Sequence, residues 1–382
     1  MMADDENRTW IGWWRRLAAS AAVGLSLLAT PVLSQAVHKL TVVSWGGAYA
    51  DSQKKSYIDP YKSVSPSTTI ELINAGGEQV AQLRSQTAIG SASWDLVDVS
   101  AADAIRLCQE GIAMPVPHDI LLSPAPDGTP PTQDFGQTII SECFIPEIVY
   151  STTFGYRTDR FKEAPTKLCD VFDLEKFPGM RALEERPINN LEWALICDGV
   201  AAESVYAELE TPDGLDRALA KLATLDGHIR WWKDGAEPAE WLAKGEVVIA
   251  SAYNGRLFNI MTRKGKKTPV AMLWDWQAFD FDGWIVPKTT QNLNEVLRFV
   301  RFATSTERLA AQASYISYGP ARRSSSALVG KHAELGIDMA PYLPTAPENA
   351  KNVLIYNYDW WAQNRDRIDA RFQTWLATQQ IR

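Results

Sequence analysis

The sequence predicts an α/β protein built as two lobes, and three observations carry that prediction. Short apolar runs alternate with helical stretches in the order β-α-β-α-β-α over residues 40–109, the order of a mostly parallel sheet with helices on both faces. A strand at 144–156 leads out of this region into a second α/β stretch. The chain's 382 residues exceed what one hydrophobic core ordinarily organises.

The start of the chain reads as a targeting segment. Arg15-Arg16 precede an apolar run at 17–33, and Ser34-Gln35-Ala36 supplies small residues at a cleavage site. The expectation is a secretory signal over 1–36, removed after Ala36. Trp14-Arg15-Arg16-Leu17-Ala18 matches a twin-arginine signal only loosely, so either export route stays open. Ser20, Gly24, Ser26 and Pro31 interrupt the apolar run, which argues against a retained anchor, and no later stretch is long enough to cross a bilayer. The first cysteine is Cys108, so no lipid-bearing cysteine follows the cleavage site. A soluble periplasmic protein is expected.

Strands are predicted at 40–44, 69–73 and 94–99, with helices at 51–61, 78–87 and 101–109, the last closed by Gly111. Gly76-Gly77-Glu78 is a tight turn, with presentation of helix amides to an anion as the alternative. The proline-rich stretch 115–133 reads as a surface loop. Further on, helices are predicted at 191–196, 213–225, 295–303 and 307–313, and strands at 246–251 and 270–274. A last helix over 359–376 carries Trp361, Ile368, Phe372 and Trp375 as a core-docking face, and Trp231-Trp232 reads as core plus rim.

The net charge of −8 survives removal of the signal, where three arginines offset three acids. An acidic chain is a poor partner for nucleic acid or anionic lipid and is compatible with a cationic solute. His38, His118, His228 and His332 are too dispersed for a zinc site, so no metal and no cofactor is expected. Four cysteines in an oxidising compartment predict disulfides. Chain position favours Cys108–Cys143 and Cys169–Cys197, each pair within one lobe.

Phe279-Asp280-Phe281-Asp282-Gly283-Trp284 combines two carboxylates with three rings, and no Lys or Arg lies between Lys267 and Lys288. In a strand, Asp280 and Asp282 share one face about 7 Å apart and the phenylalanines take the other. Carboxylates beside apolar surface suit an organic cation with an aliphatic body. A solvated edge strand is the alternative.

Several motifs, in order and spacing, are similar to those of periplasmic substrate-binding proteins of ABC importers, in the spermidine/putrescine-binding branch. They are Trp45-Gly46-Gly47-Ala48-Tyr49, 94–100, Ser251-Ala252-Tyr253-Asn254-Gly255, 281–288 and Tyr315-Ile316-Ser317-Tyr318-Gly319-Pro320. The resemblance implies a type II-like fold with a ligand cleft between lobe one (37–147 plus 283–319) and lobe two (148–282 plus 320–382). It implies Trp45 and Tyr49 as cleft contacts, Ser100 as a hydrogen-bonding residue, Tyr253 as a stacking ring, Asp282 as the amine's carboxylate and Tyr318 as a further wall. Asp280 stands where some relatives carry an aromatic residue. The implied protein is a monomeric, non-enzymatic receptor that hands a small cationic solute, a polyamine, to a membrane permease.

The second-lobe carboxylates of that branch are replaced here by Arg186-Pro187-Ile188-Asn189-Asn190-Leu191-Glu192. Glu192 would hold the far amine, or Arg186 and Arg256 would meet a ligand carboxylate, which keeps amino-acid-like, opine-like and quaternary amine ligands open. Trp274 and Trp276 are further candidates for the cleft wall. A secreted hydrolase using Asp280, Asp282 and Glu192 is disfavoured, because neighbouring carboxylates in one strand flank a scissile bond poorly and no Gly-x-Ser-x-Gly elbow occurs. Ferric iron capture by Tyr315 and Tyr318 ranks below an organic cation, since no adjacent tyrosine pair is present.

Overall fold

The computed structural model describes residues 38–379 apart from 76, 91–92 and 264–267. The predicted signal and Gly76 lie outside the described residues. No helix among the described residues is long and apolar enough to cross a membrane.

Among the described residues ten strands join one sheet: β1 (His38–Ser44), β2 (Thr68–Asn74), β3 (Leu96–Ser100), β4 (Ile145–Arg157), β5 (Arg181–Glu184), β6 (Ile229–Trp232), β7 (Ile249–Tyr253), β8 (Val270–Ile285), β9 (Gly319–Pro320) and β10 (Val353–Ile355). The order is β2-β1-β3-β8-β4-β7-β5-β6, with β10 beside β8 and β9 beside β4. β2-β1-β3 is a parallel triplet, as the β-α-β alternation requires, and β7-β5-β6 is a second. The long strands β4 and β8 run antiparallel to each other and to their outer neighbours, joining the two triplets. The sheet is therefore mixed at its centre, where only parallel pairing is read from the alternation.

The cores divide along the same line. Leu40, Val42, Leu96, Ile145, Trp284 and Phe299 pack in one cluster, and Val43, Val97, Phe144, Val149, Phe281 and Ile285 in another, all around the first triplet. Phe154, Leu183, Trp193, Leu219 and Ile249 pack with Trp361, Ile368, Phe372 and Trp375 of the helix Tyr358–Gln379 around the second. That burial is the role the helical spacing of those rings predicts. Trp232 is fully buried while Trp231 is half-buried against Phe372 and Trp375. Ser305 caps the helix Thr306–Ala313 by accepting from the Arg308 N–H, and Cys108–Cys143 and Cys169–Cys197 are the two disulfides.

Two departures from the predicted elements bear on the site. The helix expected at 51–61 starts earlier, at Gly47, and runs to Val64 through one wider turn at Lys54–Ile58. The strand predicted at 270–274 continues unbroken through the acidic segment to Ile285, because β3, β4 and β10 pair along it. Trp276 takes a positive φ of 55° within it and packs into the core beside Trp193.

Candidate functional site

Strand alternation turns Phe281 into the core and Asp282 to the opposite face, opposite Ser100 of β3 and Ile148 of β4. Four tyrosines gather over that face from four separate places. Tyr49 comes from the helix Gly47–Gln53, Tyr150 from β4, Tyr253 from the end of β7 and Tyr318 from the residue before β9. Ring centroids lie 6.0 Å apart for Tyr49–Tyr318, 6.2 Å for Tyr150–Tyr318 and 5.7 Å for Tyr150–Tyr253. Trp232 backs Tyr253 edge-on at 5.6 Å. Asn254 ties the walls together: its Oδ1 accepts from the Ser151 N–H at 3.0 Å and its Nδ2 donates to the Ser317 carbonyl.

Asp282 lies at the focus of these rings. Burial raises all four hydroxyls, and the charge of Asp282 adds to the rise at each of them. Its own carboxyl is pushed well above the usual carboxylate range by burial, then by Asp280, Asp98 and Asp103. Its buried Oδ1 has no hydrogen-bond partner, and no ion pair reaches it among the described residues. A buried carboxyl without a partner is costly, so this position calls for a cation. Asp280 differs: it accepts from the Tyr150 hydroxyl at 2.8 Å, the Tyr358 hydroxyl at 2.7 Å and the Phe281 N–H at 2.8 Å. Its acceptors are occupied.

Positive charge borders the same pocket. Arg256 follows Tyr253-Asn254-Gly255, and its Nη1 lies 3.0 Å from where a Cβ on Gly47 would stand. Burial pushes the Tyr318 hydroxyl up to about 12, and Arg256 opposes that rise. Arg256 makes no hydrogen bond or ion pair among the described residues. Arg186 pairs with Glu184 at 2.6 Å while the Tyr253 hydroxyl donates to that carboxylate at 3.4 Å. Trp45 packs against the cluster of Tyr49, Ile148, Ile316 and Tyr318, with its buried Nε1–H unpartnered. An unpaired carboxyl, unpaired donors and flat rings together can hold a small molecule carrying both an ammonium and a carboxylate.

Of the residues expected to form the site, Trp45, Tyr49, Tyr253, Asp280, Asp282 and Tyr318 come together here. Ser100 borders Asp282, but its hydroxyl caps the helix Ala101–Gln109, accepting from the Asp103 N–H at 3.3 Å and donating to the Asp103 carboxylate at 2.9 Å. Glu192 is fully buried elsewhere, taking the Trp361 indole N–H at 2.8 Å and the Tyr206 hydroxyl at 3.3 Å, and burial pushes it up to about 7. Tyr315 stands apart, beside Lys55 and His332. Sequence reasoning missed Tyr150, although its place opposite Asp280 follows once β4 and β8 are paired. A groove of about 620 Å³ along Ile105, Tyr206 and 353–359 meets this site at Tyr358 and brings no unpaired opposite charges together.

The family model described as bacterial extracellular solute-binding protein matches residues 56–342. The chain is 32% identical over 338 residues to the gamma-aminobutyric acid-binding protein of Pseudomonas aeruginosa, covering 88% of this chain and 91% of that one. The structure of the Atu4243–GABA receptor superposes with a TM-score of 0.73 at 26% identity, over 88% of this chain and 97% of the other. The spermidine/putrescine-binding protein PotD of Streptococcus pneumoniae shares the two-lobed fold at a TM-score of 0.67 but only 16% identity, over 88% and 99%. The polyamine branch is thus a distant relation in sequence, and these relatives are binding proteins rather than enzymes.

Proposed function

The chain belongs to the bacterial extracellular solute-binding protein family, the receptors of ABC importers, and on that premise we propose that its ligand is a small amino acid of the γ-aminobutyrate kind. The carrying observation is the unpartnered Asp282 carboxyl inside four tyrosines, with the unpaired Arg256 on the same aromatic wall. The ammonium pairs with Asp282, the methylenes lie on the rings at about 0.8 kcal/mol for each CH₂ removed from water, and the carboxylate meets Arg256 and the Trp45 N–H. A polyamine would place a second ammonium against these donors, which the charges oppose. The similarity to the gamma-aminobutyric acid-binding protein supports an amino acid over the polyamine that the sequence motifs imply. We place the lobes at 37–147 plus 283–319 and 148–282 plus 320–382; the separate cores around the two triplets support two lobes, with Val149, Phe281 and Ala321 at the crossings packing into the first.

Titration calorimetry with γ-aminobutyrate, longer ω-amino acids, α-amino acids, opines, putrescine and spermidine tests this reading. The amino acids should bind at least about tenfold more tightly than the polyamines, a margin of about 1.4 kcal/mol. The reverse order removes the zwitterion assignment and restores the polyamine.

A further inference from the structure

Beneath Tyr49 lies a second acidic pair. Asp98 of β3 and Glu147 of β4 are both fully buried, and neither meets Lys or Arg in an ion pair among the described residues. Glu147 is the extra residue of a β-bulge, standing between Pro146, opposite Gly283, and Ile148, opposite Asp282. A bulge re-aims a side chain, and here it brings Glu147 against Asp98. Tyr49 Oη donates to Asp98 Oδ1 at 3.2 Å and to Glu147 Oε2 at 3.0 Å. Gln53 Nε2 donates to Asp98 Oδ2 at 2.7 Å and to both Glu147 oxygens at 3.1 and 3.0 Å. Gln312 Nε2 donates to Glu147 Oε1 at 2.6 Å.

The amides are held from behind, so their orientation is set. Ser44 donates to Gln53 Oε1 and Tyr57 donates to Gln312 Oε1, each at 2.6 Å. The titratable groups facing the pair are Tyr49 and Tyr57 from the first helical run and Asp282 from β8; Arg308 from the helix Thr306–Ala313 acts on Tyr57 and donates to the Ser56 carbonyl at 3.3 Å. Tyr49 Oη and Gln53 Nε2 thus each bridge both carboxyl groups, which sets the two acids side by side on common donors. Two buried carboxylates on common donors, with no cation beside them among the described residues, repel one another, which favours one proton held on the pair.

We infer that Asp98 and Glu147 share one proton beneath the binding pocket and act as positioning residues that hold Tyr49 against Tyr318 only while that proton is present. Burial raises both acids, consistent with a retained proton. The shared state carries one negative charge. Loss of the proton to solvent leaves two, whose repulsion breaks the common grip on Tyr49 Oη and Gln53. A Gln at 147 supplies an amide donor to Asp98 and leaves at most a single negative charge there at any pH.

Infrared difference spectroscopy of the ligand-free protein tests the proton directly. A carbonyl component belonging to this pair should be present in wild type and lost in both Glu147→Gln and Asp98→Asn, while any band from the other raised carboxyls, Glu192, Asp280 and Asp282, remains; two variants guard against one failing to fold. A protonated-carboxyl region identical in wild type and both variants overturns the inference. Titration with γ-aminobutyrate at pH 6 and pH 8 tests the positioning, and this arm rests on the proposed ligand class. Wild type should lose affinity relative to Glu147→Gln on going to pH 8 by about threefold or more, roughly 0.65 kcal/mol. Equal pH dependence in the two proteins overturns the positioning role. The infrared arm needs no ligand, so its outcome stands even if the ligand assignment is wrong.

Discussion

At the scale of single residues, the site is defined by which polar atoms lack a partner. Asp280 and Asp282 are two positions apart on one face, yet tyrosine hydroxyls occupy the first and leave the second open. Asp282→Asn should therefore cost about 2–5 kcal/mol of affinity for an amino-acid ligand, with the fold retained, as read by calorimetry and circular dichroism. Binding within about threefold of wild type would remove Asp282 as the anchor. Arg256→Gln keeps hydrogen-bonding groups but removes the charge, and should cost about 1.5–3 kcal/mol for γ-aminobutyrate. A simple alkylamine lacking the carboxylate should lose nothing from that substitution; an equal loss for both would separate Arg256 from carboxylate recognition.

At the scale of elements, β8 does two jobs. Its inward residues, Phe281 and Ile285, seal a core, while its outward carboxylates meet the pocket. This duality is legible in the sequence because the aromatic and acidic residues alternate with the strand period. The partner strands are not legible there. A bulge at Glu147 and another register shift between Thr152 and Phe154 decide which residues of β4 oppose Asp280 and Asp282, and no local residue pattern encodes them. Gly283 permits the first: a Cβ there would stand 2.2 Å from the Ile145 carbonyl oxygen. Gly283→Ala should force β4 and β8 apart and cost about 1–3 kcal/mol or more. Urea unfolding measures the cost, and a variant as stable as wild type would show that the strands can relax without loss.

At the scale of the whole molecule, the buried acids link stability to pH. Glu192 is pushed up to about 7, and Asp98, Glu147 and Asp282 are also raised, chiefly by burial. Unfolded, these groups titrate near ordinary carboxylate values. Between those values and about pH 7 the native state binds more protons than the unfolded chain, so stability falls as pH rises through that window. Each unit of elevation amounts to about 1.4 kcal/mol once pH exceeds the native value. Scanning calorimetry of the ligand-free protein should show Tm decreasing from pH 5 to pH 8, and a flat or rising Tm would contradict native protonation of this set. Whatever is local or periodic follows from residue order alone: the β-α alternation, the core face of the last helix, the two cysteine pairings and the acidic-aromatic strand. Which charges stay unpaired follows only from the assembled fold. Tyr150 and Glu147 reach their places through strand pairing and a bulge, and Arg256 and Tyr358 from helices distant in sequence, so a carboxylate's partner, and with it the ligand's charge pattern, is a property of the completed fold.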